Sequence, residues 1–243
     1  MEPYVYEEMA SLQVDHWWFC GKRFVLKGVL DKFFHRKDLE VLEVGCGPGG
    51  NFDLLKRYGQ LTALEPNEHA NKFLQQYPDV KIIKGGLPAD QIMQGKKFDL
   101  VAALDVLEHI QDENLALAGL VDLVRPGGHL LLTVPAFQFM WSSHDVDHHH
   151  FRRYRKPYLL ELLQKKKLEI RYSSYFNLIL FPISMALRFL DKIKKGVAGT
   201  GSGQLPGVIN IPLKLIFCFE GILLKFFRFP FGLSIVVLAR KSE

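Results

Sequence analysis

The sequence predicts an α/β fold, a parallel sheet with helices on both faces. Three observations carry that prediction. From Leu39 to Val134, short β-rich runs alternate with helical stretches at the spacing of βαβ units. A glycine-rich turn stands where the first of these runs gives way to a helix. The composition, 48% hydrophobic and 23% charged, is that of a globular chain and excludes disordered, collagen-like and disulfide-scaffold classes. At 243 residues a single domain is expected.

The elements follow in order. Tyr4–Leu30 reads as one or two helices holding a dense aromatic group, His16-Trp17-Trp18-Phe19, and residues 1–38 are expected as a helical lid. A core over residues 39–175 begins with strand Leu39–Val44, and a helix follows near Gly50–Tyr58. Leu61–Glu65 is the second strand, with a helix near Glu68–Tyr77, and Val80–Lys84 is the third. Phe98–Leu104 is the fourth, followed by a helix near Asp112–Val124. His129–Val134 is the fifth, after the turn Arg125-Pro-Gly-Gly128, and Leu168–Phe176 the sixth. Residues 176–230 read as an insertion of two apolar, basic helices, Phe176–Lys195 and Ile211–Phe229, joined by a flexible linker, Gly196–Pro206. Residues 231–243 carry the last strand, Leu233–Arg240.

The net charge of +5 conceals an asymmetry. Residues 1–150 hold 14 Lys and Arg against 21 Asp and Glu, whereas residues 151–230 hold 15 against 4. A basic, apolar second part points to phosphate, nucleic acid or an anionic membrane as its partner. Three cysteines at unrelated spacings offer neither a disulfide framework nor a CxxC metal pair, so a reduced, cytoplasmic interior is expected. No secretory signal opens the sequence, and no stretch free of charge spans a bilayer comfortably.

The run Glu43-Val-Gly45-Cys46-Gly47-Pro-Gly49-Gly50 carries the chemistry. Glycines at a strand end let the backbone approach a ligand, and the helix start offers free N–H groups. Gly45, Gly47 and Gly50 satisfy GxGxxG, and Glu65, twenty residues beyond Gly45, could bind two ribose hydroxyls. A nicotinamide dinucleotide is therefore admissible on this motif alone. Glu43, however, would set a carboxylate beside a pyrophosphate, which is electrostatically wrong; a cationic ligand suits it better.

With Glu65-Pro66, Phe98-Asp99-Leu100-Val101, Asp105-Val-Leu-Glu108-His109-Ile and Leu123-Val-Arg-Pro-Gly-Gly128, the sequence resembles the class I S-adenosylmethionine-dependent methyltransferases. The resemblance covers Leu39 to Val134. It implies a Rossmann-like three-layer sandwich whose mostly parallel seven-stranded sheet ends in an antiparallel strand, with the helical insertion before it. It implies S-adenosyl-L-methionine as cofactor: Gly45, Cys46 and Gly47 against its amino-acid part, Glu43 near its ammonium or sulfonium, Glu65 on the ribose hydroxyls and Pro66 on the adenine. Leu104 and Asp105 would border the methionine moiety. The third strand lacks the Asp that many relatives use for the adenine amine, so backbone contacts at Gly86 and Leu87 would stand in.

The flanks add an acceptor site. Trp141 to Tyr154 follows the fifth strand and carries His144, Asp145, His148, His149 and His150. Methyl transfer to a hydroxyl needs its proton removed near neutral pH, so His149, His150 and Asp145 are candidate bases; a polar, solvated loop is the alternative. His144, Arg152, Arg153 and Tyr154 are candidate acceptor contacts, the arginines for a carboxylate or phosphate. His144 and His148 have metal-ligand spacing, but with no Cys ligand or HExxH the site is read as metal-free. Trp18 would shield the sulfonium and Arg23 would reach the cofactor carboxylate, with core packing as the alternative for the tryptophans. The insertion fits an anionic membrane surface, a homodimer interface or a cap. The patterns HWWF and HHFRRY with the long insertion resemble a bacterial subgroup associated with cell-envelope glycan or lipid-linked metabolism.

The expected function is O-methylation of an amphipathic, lipid-linked, glycan or other small-molecule acceptor, by a cytoplasmic protein peripheral on the inner membrane face. The alternatives are a nucleic-acid methyltransferase and a non-catalytic cofactor-binding regulator. The absence of an N/D-P-P-Y/F motif and of a Pro-Cys nucleophile disfavours nucleobase chemistry.

Overall fold

In the computed structural model, residues 3–88, 93, 95–193 and 205–243 are described. Seven strands form one sheet: β1 (Leu39–Val44), β2 (Gly59–Glu65), β3 (Lys81–Lys84), β4 (Phe98–Leu104), β5 (Val124–Pro135), β6 (Leu168–Phe176) and β7 (Ser234–Lys241). Their order is β3-β2-β1-β4-β5-β7-β6. β1 to β5 run parallel, and β7 is antiparallel to both β5 and β6. This is the sheet the sequence predicts, antiparallel last strand included. β1 and β4 lie at its centre, covered on both faces, which is why LEVLEV and FDLVAAL read as near-continuous apolar runs. Val44 pairs with both Leu64 and Ala103, so the carboxyl ends of β2, β1 and β4 finish in line.

Ten α-helical residues open the chain as α1 (Pro3–Leu12), followed by α2 (Trp17–Phe33). The helices after β1 and β2 are shorter than their sequence pattern suggests: α3 is Phe52–Leu55 and α4 is Asn71–Leu74. Gly59 supplies the reason after β1. A Cβ there would lie 1.9 Å from the Leu39 carbonyl oxygen, so the chain must leave its helix before Gly59 to meet β1. Next come α5 (Glu113–Leu123), α6 (Ser143–Asp147) and α7 (Lys156–Lys165), then the insertion helices α8 (Phe181–Ile193) and α9 (Gly207–Leu223). The start of the first insertion helix is set by Glu220 on α9. Its buried carboxylate accepts the N–H groups of Asn177, Leu178 (2.7 Å) and Ile179 (3.0 Å), and Asn177 takes φ +58°, so a turn precedes α8. The expected linker lies, as far as residue 204, outside the described residues.

The insertion is bolted to the amino-terminal helices. Asn210 accepts the Trp17 N–H at 2.8 Å and donates to the Asp15 carbonyl at 3.0 Å. Two glycines let α2 and α9 touch: a Cβ on Gly21 would sit 2.2 Å from the Phe217 ring, and one on Gly221 would sit 2.6 Å from the Phe24 ring. Trp18 packs between Phe176 and Phe217, at ring separations of 6.3 and 5.6 Å. α9 therefore turns one apolar stripe inward and leaves another, Ile211, Leu215, Phe219 and Ile222, exposed, and Phe226 continues it in the turn after the helix. Among the described residues, no helix is long and apolar enough to cross a membrane.

Gly21→Val should overpack this crossing and cost about 1–3 kcal/mol in urea unfolding. Gly28→Ala, on the same helix with its nearest neighbour 3.7 Å away, should cost nothing.

Candidate active site

A cavity of about 1100 Å³ opens at the carboxyl ends of the central strands, where ligands bind in open α/β sheets. One part of its wall is the glycine loop after β1. Gly45 and Gly47 take φ +67° and +53°, and a Cβ on Gly45 would lie 2.8 Å from Val106, so the loop needs glycine both for its turn and for its closeness to the neighbouring chain. Glu65, at the end of β2, fixes the loop: its Oε2 accepts the Gly47 N–H at 2.8 Å. Its Oε1 accepts the Asn67 N–H at 3.0 Å and the Tyr6 hydroxyl at 3.4 Å. Burial pushes this carboxyl above the usual range, against the pull of the two backbone N–H groups.

Asp105 ends β4 at φ +60° and reaches the cavity. Its Oδ1 accepts from Thr133 at 2.8 Å, and its Oδ2 meets the Lys22 ammonium at 2.6 Å. Burial opposes its charge, but Lys22 and Thr133 hold it below the usual carboxylate range.

The rest of the wall is a cluster of imidazoles and carboxylates. Asp145, fully buried at the third position of α6, accepts the Ser142 N–H at 2.8 Å and a two-pronged Arg153 guanidinium at 2.7 and 2.9 Å. Its Oδ1 also lies 2.9 Å from His150 Nδ1. Burial works against this charge as well, yet His150 and Arg153 keep the carboxyl far below its ordinary value. His150 faces His109 at a ring separation of 4.6 Å, and the His144 and His148 rings are 4.0 Å apart. Burial holds His109 and His144 down at about 3 and His148 at about 4, so all three are neutral at pH 7. Glu108, completely buried, has no hydrogen-bond partner for either carboxyl oxygen among the described residues, and burial pushes it well above the carboxylate range.

Most of the residues expected from the sequence converge here. Gly45, Cys46, Gly47, Glu65, Pro66, Gly86, Leu87, Leu104, Asp105, Trp18, His144, His150 and Arg153 all line the cavity. Others sit elsewhere, each for a visible reason. Glu43 lies behind the glycine loop, where Oε1 accepts from Asn51 at 2.8 Å, and burial pushes it up to about 7. Arg23 is spent on the carbonyls of Gly50 (3.1 Å) and Val14 (3.3 Å), tying α2 to the loop rather than reaching into the cavity. Arg152 donates to the Gln111 carbonyl and pairs with Glu113, and Tyr154 donates to the same Glu113 at 2.9 Å. His149, at φ +55°, is exposed and outside the lining. Asp145, expected as a base, is instead engaged by the Ser142 N–H, Arg153 and His150, and among the expected bases His150 alone lines the cavity.

Sequence reasoning missed Lys22, Tyr6, Glu108 and His109, all of which line the cavity. For Glu108 and His109 the signal was present, since both follow the fourth strand, where ligands gather. Lys22 was detectable as a lone cation on the face of α2 that buries Val25, Leu26 and Val29.

Comparison with known proteins settles the family. The pattern of the methyltransferase domain matches residues 21–173. The chain belongs to this family. Its relatives include a "probable S-adenosylmethionine-dependent methyltransferase" of Mycolicibacterium smegmatis, 26% identical over 67% of this chain and 63% of that protein. A ubiquinone biosynthesis O-methyltransferase of Vibrio cholerae is 29% identical over 53% of this chain and 57% of its own. The chain thus spans about half to under two thirds of the length of these curated relatives. Among solved structures, an S-adenosylmethionine-dependent methyltransferase of Archaeoglobus fulgidus shares the fold at TM-score 0.56 and 15% identity, over 90% of this chain and 94% of that one. Magnesium protoporphyrin IX methyltransferase of Synechocystis, with bound S-adenosylhomocysteine, matches at 0.56 and 13%, over 92% and 83%.

The methyltransferase cavity fits the cofactor these relatives use. Glu65 would take the ribose hydroxyls, Pro66, Gly86 and Leu87 the adenine, and the glycine loop with Leu104 and Asp105 the methionine part. Glu65→Ala should abolish S-adenosylhomocysteine binding by calorimetry while leaving the thermal unfolding cooperative. Glu43 yields a pH prediction. A carboxyl raised to about 7 from 4.5 contributes stability below pH 4.5 that is lost as pH rises through 7. Glu43→Gln should therefore gain on the wild type across that window, by up to about 3 kcal/mol, in denaturant unfolding at pH 4.5 and pH 8.

Proposed function

We propose that this methyltransferase transfers the methyl group of S-adenosylmethionine to a hydroxyl oxygen of an amphipathic acceptor, lipid-linked or glycan in kind, presented at a membrane surface. One observation carries the reading. The wall that holds Glu65 and the glycine loop continues into a cluster of imidazoles in which Asp145 orients His150, and a hydroxyl acceptor needs a positioned base to lose its proton.

Bound S-adenosylmethionine supplies an activated methyl on a sulfonium and leaves as the neutral thioether. The chain's own residues do the rest. Glu65 and the glycine loop fix the donor. Lys22 holds Asp105 at the boundary between donor and acceptor. Trp17, Trp18 and Met9 line the cavity and exclude water from the transfer path. Arg153 clamps Asp145, Asp145 orients His150, and His150 receives the proton of the acceptor hydroxyl. In-line displacement then depends on holding oxygen, carbon and sulfur on one axis.

The amphipathic acceptor is supported by the outer stripe of α9. Leu215, Phe219 and Phe226 are 64, 55 and 76% exposed, and Lys214, Lys225 and Arg228 lie close by in sequence. An O-methyltransferase of ubiquinone biosynthesis among the relatives agrees with a lipid-like hydroxyl acceptor, as does the resemblance to envelope-associated methyltransferases. Labelled S-adenosylmethionine with an envelope lipid extract in anionic vesicles tests both parts. His150→Gln should lower kcat by about 10²–10⁴-fold with the cofactor KM unchanged. Phe219→Ser with Phe226→Ser should reduce vesicle flotation and raise the acceptor KM. Label appearing on nitrogen or sulfur would overturn the oxygen assignment, and unchanged flotation the membrane assignment.

A further inference from the structure

We propose that Glu108, His109 and His150 form a binding site for a divalent cation of the zinc class, in the wall of the methyltransferase cavity. Each offers one donor atom, and the three atoms lie within 4.8 Å of one another. A tetrahedral zinc with bonds near 2.1 Å needs donors about 3.4 Å apart, so small side-chain rotations close the set.

Charge and hydrogen bonding point the same way. Glu108 is 0% exposed and faces the cavity, yet neither of its oxygens has a hydrogen-bond partner among the described residues. A carboxylate in that position calls for a positive partner. The two buried cations nearest it are committed elsewhere: Lys22 to Asp105 at 2.6 Å and Arg153 to Asp145 at 2.7 Å. A bound divalent ion would supply the missing charge.

His150 is prepared as a ligand. Metal-binding imidazoles commonly donate their second ring nitrogen to a carboxylate, which fixes the tautomer and aims the other nitrogen at the ion. Asp145 takes Nδ1 of His150 at 2.9 Å and is itself clamped by Arg153, leaving Nε2 for the ion. Two imidazoles and one carboxylate favour zinc or another borderline transition ion over magnesium or calcium, which demand oxygen ligands. Three protein donors leave a further coordination position for a small oxygen ligand. The ion's existence does not depend on the hydroxyl-acceptor reading; its role rests on it: with the ion bound, His150 is a ligand rather than the proton acceptor, and the ion would hold the acceptor oxygen and acidify its hydroxyl so that the proton passes to water.

The test uses the full chain stripped with a chelator, then titrated with Zn²⁺, Mn²⁺ and Mg²⁺ by calorimetry, with metal content after dialysis measured by mass spectrometry. One equivalent of Zn²⁺ should bind, Mn²⁺ more weakly, and Mg²⁺ not at all at the same concentration. Glu108→Gln and His150→Gln should each weaken Zn²⁺ binding by at least about tenfold, while unchanged S-adenosylhomocysteine binding shows that the fold is intact. Co²⁺ in place of zinc should give visible absorption bands of a tetrahedral nitrogen and oxygen site. Absence of stoichiometric Zn²⁺ binding would overturn the proposal, as would binding indifferent to Glu108→Gln. Binding lost in His144→Gln or His148→Gln but retained in both other variants would also overturn it, by moving the ion to the adjacent pair. Zinc bound as described, with no hydroxyl acceptor methylated in any extract, supports the site and overturns the acceptor reading instead.

Discussion

The ion pair between Lys22 and Asp105 ties the two halves of the molecule together. Asp105 sits at the end of β4 in a left-handed conformation that a non-glycine residue adopts only at a cost of about 1–3 kcal/mol, and its hydrogen bond from Thr133 and its contact with Lys22 offset that cost. Lys22 is buried on α2 and Asp105 is part-exposed to the cavity, so removing Asp105 would leave the Lys22 charge without this partner. One contact thereby fixes the roof over the strand ends and places a carboxylate where the donor and acceptor parts of the cavity meet. α2 also packs on α9 through Gly21 and Phe217, so the same helix that carries Lys22 holds α9.

Of the two carboxylates expected to touch the cofactor, one lines the cavity and the other lies behind it. Glu65 faces the cavity and draws in the Gly47 amide, so the loop is shaped by the group that would also hold the ribose. Glu43 lies one layer deeper, holding Asn51 at 2.8 Å, and acts on the cavity through the backbone it supports. Its influence on a cation in the cavity would be a field across the loop, weaker than a contact but less screened than in water. Tyr6 donates to the same carboxylate, so α1 closes against the group that would also hold the ribose.

The parallel core was legible because buried strands must be apolar on both faces and must turn at glycine, and both constraints leave marks in sequence order. Side-chain direction left no such mark. In the run His148-His149-His150, all three imidazoles are equivalent by composition. The left-handed backbone at His149 sends it outward while His150 reaches Asp145, and this depends on the His150 N–H bonding the Asp145 carbonyl at 2.8 Å. Lys22 was hidden for another reason: its partner lies 83 residues away, and a single lysine in a helix reads as surface until the buried face is known. Arg153, by contrast, was expected in the acceptor site and lines the cavity, but its guanidinium serves Asp145 instead of a substrate anion.

The same limit governs the insertion. α9 is apolar nearly all round, so its sequence cannot say which stripe goes inward. The choice is made by small residues and polar anchors: Gly221 accepts Phe24, Asn210 takes the start of α2, and Glu220 takes the start of the turn before α8. These three positions all lie on one side of the helix, which leaves Ile211, Leu215, Phe219 and Ile222 on the other, with Phe226 following in the turn beyond. An exposed stripe of this length on a helix anchored so firmly is a property of the fold, not of local disorder, and contiguous apolar surface on a soluble face marks a place of contact. On the proposed reading, the anchors that orient α9 also orient the cavity mouth, since α8, which follows the turn held by Glu220, contributes Ser184 and Arg188 to the cavity wall. A surface bound along that stripe would be held in fixed register with the histidine cluster.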